Sequence, residues 1–368
     1  MAQPQEFGSL PPKTTSNIKP FQLAIPETEV NDMKSLLKLS RLAGPVYENS
    51  LPGGKSHLGV RRDWLADAKR VWENDFDWRA TEAHINTFPN FKATVDDEIA
   101  AFEIHFAALF SSRADAIPVI LLHGWPGSFL EFLPLLQLMK QKYSPETLPY
   151  HLVVPSLPGF TLSEMPLLDR DISQVDVARI LNGLMINIGF GSGYVCQGGD
   201  IGSRVARLLA VNHSEAKAVH LNFCLIGKPS SVTDVGALSE LEQQGLKRGD
   251  IWKASGNAYA LEQATRPSTI GFVLSSNPLA LLACNLWSYR RSFGPGPLMT
   301  QDDPKYHIKV PFGFSYYPKE TAPTPISWVA TTGNLVFSRT HQKGGHFAAL
   351  ERPKEFMEDL EEFIKQVW

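Results

Sequence analysis

Gly193-Tyr194-Val195-Cys196-Gln197-Gly198-Gly199-Asp200-Ile201-Gly202-Ser203 is the stretch that decides how this chain is read. Residues 193–197 have the apolar density of a short buried strand. Residues 202–210, with Val205, Leu208 and Leu209 on one side, read as the helix that follows. A glycine-rich strand-to-helix turn with a reactive side chain at its tip has the form of a nucleophile elbow. Alone, the hexapeptide around Asp200 is weak, because aspartate after two glycines is also an ordinary turn residue. The choice of side chain still has chemical content. A hydroxyl that attacks a carbon electrophile leaves an ether, which water does not release, whereas a carboxylate leaves an ester, which water cleaves. Aspartate at the tip therefore points to alkyl transfer from carbon.

Working outward, residues 101–110, 117–122 and 152–154 read as strands. Ser173 and Asp176 are spaced as a capping box opening a helix. Val177, Ile180, Leu181, Leu184, Met185 and Ile188 line the inner face of that helix. A strand over 218–222 follows the elbow helix. Between Cys224 and Val310 the alternation stops in a helical, Ser/Gly/Pro-rich insertion. It resumes with a strand over 309–315, a helix over 326–331 and a strand over 335–339. A last helix opens near Pro353, where a missing N–H does no harm, and is expected to bury Phe356, Leu360, Phe363, Ile364 and Val367. Such alternation implies an α/β fold with a mostly parallel sheet covered on both faces. The first hundred residues read as a separate layer. Val30, Met33, Leu36 and Leu37 mark a helix there, and Trp64, Leu65, Trp72, Phe76 and Trp78 an aromatic stretch expected to pack into a core.

Composition narrows the function. At 368 residues and 43% apolar the chain can bury a large core, and a net charge of −3 gives no reason to expect nucleic acid or an acidic membrane as partner. The basic residues form pairs such as Arg61-Arg62, not patches. Cys196, Cys224 and Cys284 are too few and too far apart for a zinc site or a disulfide framework, so they read as buried free thiols in a reducing compartment. The polar, proline-rich start does not read as a signal peptide, and no apolar run is long enough to span a bilayer. A cytoplasmic location is expected.

Three further positions complete a site around Asp200. His123-Gly124-Trp125-Pro126-Gly127 directly follows a strand and can aim the Trp125 N–H inward, where it and the Ile201 N–H would form an oxyanion hole. Gly344-Gly345-His346 follows the last strand, where the fold places its base. His341 nearby reads as solvated. Glu320, in the loop after the 309–315 strand, is the best-placed carboxylate to orient the imidazole. Asp200, Glu320, His346 is then the order nucleophile, acid, base.

These motifs, with Gly-Gly-His346-Phe-Ala-Ala-Leu-Glu-Arg-Pro, resemble the microsomal-type epoxide hydrolases, particularly their soluble fungal branch, over nearly the whole chain. The resemblance implies an α/β-hydrolase fold with an N-terminal meander at 1–100, core parts at 101–224 and 309–368, and a helical cap at 225–308. It implies epoxide hydrolysis through an alkyl-enzyme ester, with a small-molecule epoxide as substrate and no cofactor or metal. No nucleic acid or membrane anchor is expected, and a homodimer is left open. It also implies two cap tyrosines that bind the epoxide oxygen; Tyr259 matches the first and Tyr289 is the candidate for the second. One departure stands out. Between Ala283 and Tyr289 the cap lacks roughly one helical hairpin, ~30 residues at usual lengths, a shortening that bears directly on the place of Tyr289. Three other readings remain open: an epoxide-opening cyclase, a haloalkane dehalogenase-like enzyme, which would need N–H donors for a halide instead of phenols, and an inactive homologue that acts as a binding protein.

Overall fold

Nine strands form one mixed sheet in the computed structural model of the chain, which describes residues 6–54, 58–230, 238–284, 301 and 303–368. In chain order they are β1 (Ile18–Phe21), β2 (Asn90–Asp96), β3 (Ala101–Leu109), β4 (Ile117–Leu122), β5 (Tyr150–Pro155), β6 (Tyr194–Gly198), β7 (Ala216–Leu221), β8 (Ile308–Tyr316) and β9 (Gly333–Thr340). Their order across the sheet is β1-β2-β3-β5-β4-β6-β7-β8-β9. The first four strands in that order run antiparallel to one another, and from β5 to β9 every pairing is parallel. Strand β6 is buried at all five positions, as a central strand covered on both faces should be.

The described residues fall into two compact units. One holds residues 6–22, 88–258 and 301–368, and the other residues 23–87 and 259–284. The layer expected over 1–100 is thus divided, because β1 and β2 extend the main sheet. The reason is visible in Phe91-Lys92-Ala93-Thr94-Val95: Phe91, Ala93 and Val95 are buried and alternate with half-buried polar residues. Helices Glu27–Leu39, Arg62–Asn74 and Trp78–Ile85 belong to the second unit. The aromatic stretch does not make a core: the Arg62–Asn74 helix buries none of its residues, and Trp64 is 53% exposed.

The expected capping box is formed. Ser173 Oγ accepts from the Asp176 N–H, the Asp176 carboxylate accepts from the Ser173 N–H, and helix Gln174–Ile188 buries the six predicted residues. The insertion after β7 is helical, with Glu240–Ser255, Ala258–Thr265, Pro267–Ser275 and Pro278–Cys284. Helix Pro353–Val367 buries Phe356, Leu360, Phe363 and Ile364. Val367 is only half-buried, since it lies in the final turn of the chain. Cys196 and Cys224 are buried free thiols. Among the described residues, no helix is long and apolar enough to cross a membrane.

Candidate active site

Sheet pairing brings the site together. β4 and β6 are hydrogen-bonded neighbours with Leu122 opposite Gly198, so the His123–Gly127 turn and the elbow leave the sheet side by side. β8 and β9 are also neighbours, and their following loops stay joined through Lys319 N–H to Gly344 O at 3.0 Å. Those loops carry Glu320 and His346.

At the elbow three glycines are required by close approach. A side chain on Gly198 would meet Gly202 O at 2.1 Å, one on Gly202 would meet Leu122 O at 2.0 Å, and one on Gly124 would lie 2.3 Å from Asp200 Cβ. Asp200 itself has φ +45°, the left-handed region that side-chain-bearing residues seldom adopt. Asp200 opens helix Asp200–Asn212. This backbone strain at the reactive position is the kind that persists only where surrounding structure enforces it.

Asp200 Oδ1 accepts from the Trp125 N–H at 2.8 Å, and the Ile201 N–H also bonds the carboxylate. Burial alone would push the Asp200 carboxyl up, but the bonds from His346, Trp125 and Ile201 hold it below its ordinary range. His346 Nε2 lies 3.3 Å from Asp200 Oδ2, and its Nδ1 lies 2.5 Å from Glu320 Oε1. Burial would lower the imidazole, yet the two carboxylates raise it well above its usual value. The resting site is therefore an imidazolium between two carboxylates.

The structure joins Asp200, Trp125, Ile201, His346 and Glu320 in one constellation. Tyr259 is half-buried on helix Ala258–Thr265, in the second unit. Tyr289 lies outside the described residues, as do residues 285–288 between Ala283 and Tyr289, where the cap reads as short.

Several supporting groups were not read from the sequence. Glu320 Oε1 also accepts from the Thr321 N–H at 2.5 Å and the Thr321 hydroxyl at 2.9 Å, while Arg248 Nε donates to the Glu320 carbonyl at 2.9 Å. His123 Nε2 accepts from the Leu157 N–H at 3.0 Å, which leaves Nδ1–H to donate to Gly124 O at 2.9 Å and pin the turn. Burial pushes His123 down to about 4, so it does this as a neutral ring. The Phe223 ring meets His346 edge-on at 5.6 Å. His341 is not solvated: its Nε2 lies 2.6 Å from buried Asp359, and its ring stacks on Tyr317 at 4.5 Å. Among the described residues, no cluster of three or more His, Cys, Asp or Glu side chains is placed to hold a metal ion.

Comparison with known proteins places the chain in a family. The family model for the epoxide hydrolase N terminus matches residues 18–132, and that for the α/β-hydrolase fold matches residues 117–335. The chain is similar to the Aspergillus niger epoxide hydrolase structure, with 45% identity, a TM-score of 0.90, and coverage of 99% of this chain and all of that one. A Dothistroma septosporum protein provisionally named an epoxide hydrolase is 39% identical over 97% of this chain and 92% of its own. Epoxide hydrolase 1 of Sus scrofa is 26% identical over 95% and 88% respectively. The alignment with the Dothistroma protein runs over 395 positions, more than the 368 residues of this chain, so that relative carries segments this chain lacks.

Proposed function

The chain belongs to the epoxide hydrolase family of the α/β-hydrolase fold, and from that premise we propose that it adds water to an epoxide, giving a vicinal diol, through an ester on Asp200. The observation that carries this reading is a single carboxylate held by two backbone N–H groups on one side and a His–Glu pair on the other. The held carboxylate stays ionised and can attack a ring carbon. Its negative charge passes to the epoxide oxygen, which takes a proton from a donor. Tyr259, and Tyr289 if the cap delivers it, are assigned this role, since a phenol near pKa 10 is far more acidic than an alcohol.

Esterification then changes His346. Asp200 no longer bears charge, so one of the two carboxylates that raised the imidazole is lost and its pKa falls. The proton is released, and neutral His346 can take one from water as it attacks the ester carbonyl. Glu320 stabilises the imidazolium that forms. The oxyanion grows between the Trp125 and Ile201 N–H groups. The reaction thus prepares its own base.

Incubation with a panel of aryl and aliphatic epoxides tests the activity: diols are expected, and none from any member would reject it. The two tyrosines are separable. If the short cap displaces Tyr289, Tyr259→Phe should slow alkylation by ~10²–10⁴-fold while Tyr289→Phe changes little. Weak turnover that favours aryl epoxides, whose benzylic carbon opens with less acid assistance, is expected with it. Equal, large losses from both substitutions would show two working donors.

A further inference from the structure

We propose that Glu131 is a positioning residue of this site, holding the His123–Gly127 turn from behind through Gly124 and keeping negative charge away from the oxyanion hole. This role rests on the ester mechanism above. Glu131 lies in the short helical turn Phe129–Phe132, reached directly from the loop that carries Trp125. Its Oε1 lies 3.4 Å from the Gly124 N–H, the peptide group that immediately precedes the Trp125 donor. The fit is close on the other side too. A side chain on Gly127 would come within 2.6 Å of Glu131 Oε1 and 3.2 Å of the Phe347 ring, so glycine there makes room for this carboxyl beside the residue after His346.

Charge decides what the carboxyl can do in that place. Burial raises Glu131 to about 8, opposed by the Gly124 N–H and assisted by the Asp200 charge, so at neutral pH it is an uncharged acid. Asp200 and His346 are the ionised groups it feels directly. The elements packed against its turn carry other ionisable groups, among them Lys140 and Lys142 on helix Leu133–Lys142, the first lowered by burial. His105 and His151 are pushed by burial to about 3 and about 4, and Glu351 is occupied by the Phe347 N–H at 3.1 Å. Burial, the largest cause, does not depend on Asp200, so the carboxyl stays neutral after the nucleophile is esterified. Ionisation near pH 8 would set a carboxylate against the oxyanion that forms during ester hydrolysis.

The test follows decay of the alkyl-enzyme in single turnover, from about pH 6 to about pH 9, for wild type, Glu131→Gln and Glu131→Ala. Any epoxide that wild type hydrolyses serves. Wild-type decay should slow about tenfold as pH rises through the Glu131 ionisation, the size expected for one added like charge at close range. Glu131→Gln keeps the acceptor without the charge, so it should match wild type at low pH and lack the alkaline fall. Glu131→Ala should be slower throughout, by roughly two- to tenfold for a lost hydrogen bond. Thermal denaturation gives an independent reading. The folded-state pKa is about 8 and the ordinary value 4.5, so wild type should lose stability relative to Glu131→Gln as pH rises across that window. An unchanged alkaline limb in Glu131→Gln, or wild-type decay in Glu131→Ala, overturns the role. So does a folded but inactive Glu131→Gln, because it would show that the ionised carboxylate is needed. A wild type that forms no diol rejects the ester mechanism itself; an active wild type with indifferent variants rejects only Glu131.

Discussion

Asp200→Ala should abolish diol formation, a loss of ~10⁴-fold or more by analogy with removal of other covalent nucleophiles, and leave a folded protein. The fold should survive because the elbow backbone is held by Gly198, Gly202 and the β4–β6 pairing, none of which involves the Asp200 side chain. Alanine must still adopt φ +45°, at a penalty of roughly 1–2 kcal/mol for a residue with a Cβ, a modest part of a domain's usual 5–15 kcal/mol. Circular dichroism and the melting transition check the fold, and product chromatography the activity. Diol formation by a verified Asp200→Ala preparation would end the covalent route.

His346→Gln should divide the reaction in two. Ring opening needs the Asp200 carboxylate and a proton donor for the oxygen, but no base. Ester hydrolysis needs a base, and glutamine cannot act as one. Alkylation should therefore proceed and turnover fall by ~10²–10⁴-fold, with the protein accumulating as its ester. Glutamine retains a donor that can reach Glu320, so the loop should keep its place. Intact-mass spectrometry should show one substrate mass added, mapped to the peptide containing Asp200. A variant that neither turns over nor gains mass, with an epoxide that wild type hydrolyses, would show that His346 is also required for ring opening.

The catalytic residues were legible because each lies in the segment that follows a strand. Asp200 comes two residues after β6, His123 one after β4, and His346 six after β9, so local strand signals placed them at one end of the sheet. Chain order then separated base from acid. What surrounds them was not legible, because it depends on contacts between distant residues. Arg248 holds Glu320 across 72 positions, and Asp359 holds His341 across 18. Trp64 shows the opposite limit: an aromatic on a helix looks like core by composition, but nothing local says whether a partner will cover it. β2 could have been read from the Phe91-Ala93-Val95 alternation, whereas its place in the main sheet follows from pairing with β3. Glu131 has the type and spacing of an ordinary exposed glutamate; what distinguishes it is its place against Gly124 and Gly127.

Isotope transfer in a single turnover tests the ester most directly. Enzyme in excess over epoxide is mixed in water enriched in oxygen-18. Asp200 gives one of its own oxygens to the substrate, and water attacks the ester carbonyl, breaking the acyl carbon–oxygen bond. The diol should then leave unlabelled, and the Asp200 peptide should gain one heavy oxygen. First-turnover diol carrying oxygen-18, with an unlabelled Asp200 peptide, would mean that water attacks the epoxide itself and that Asp200 is not the nucleophile.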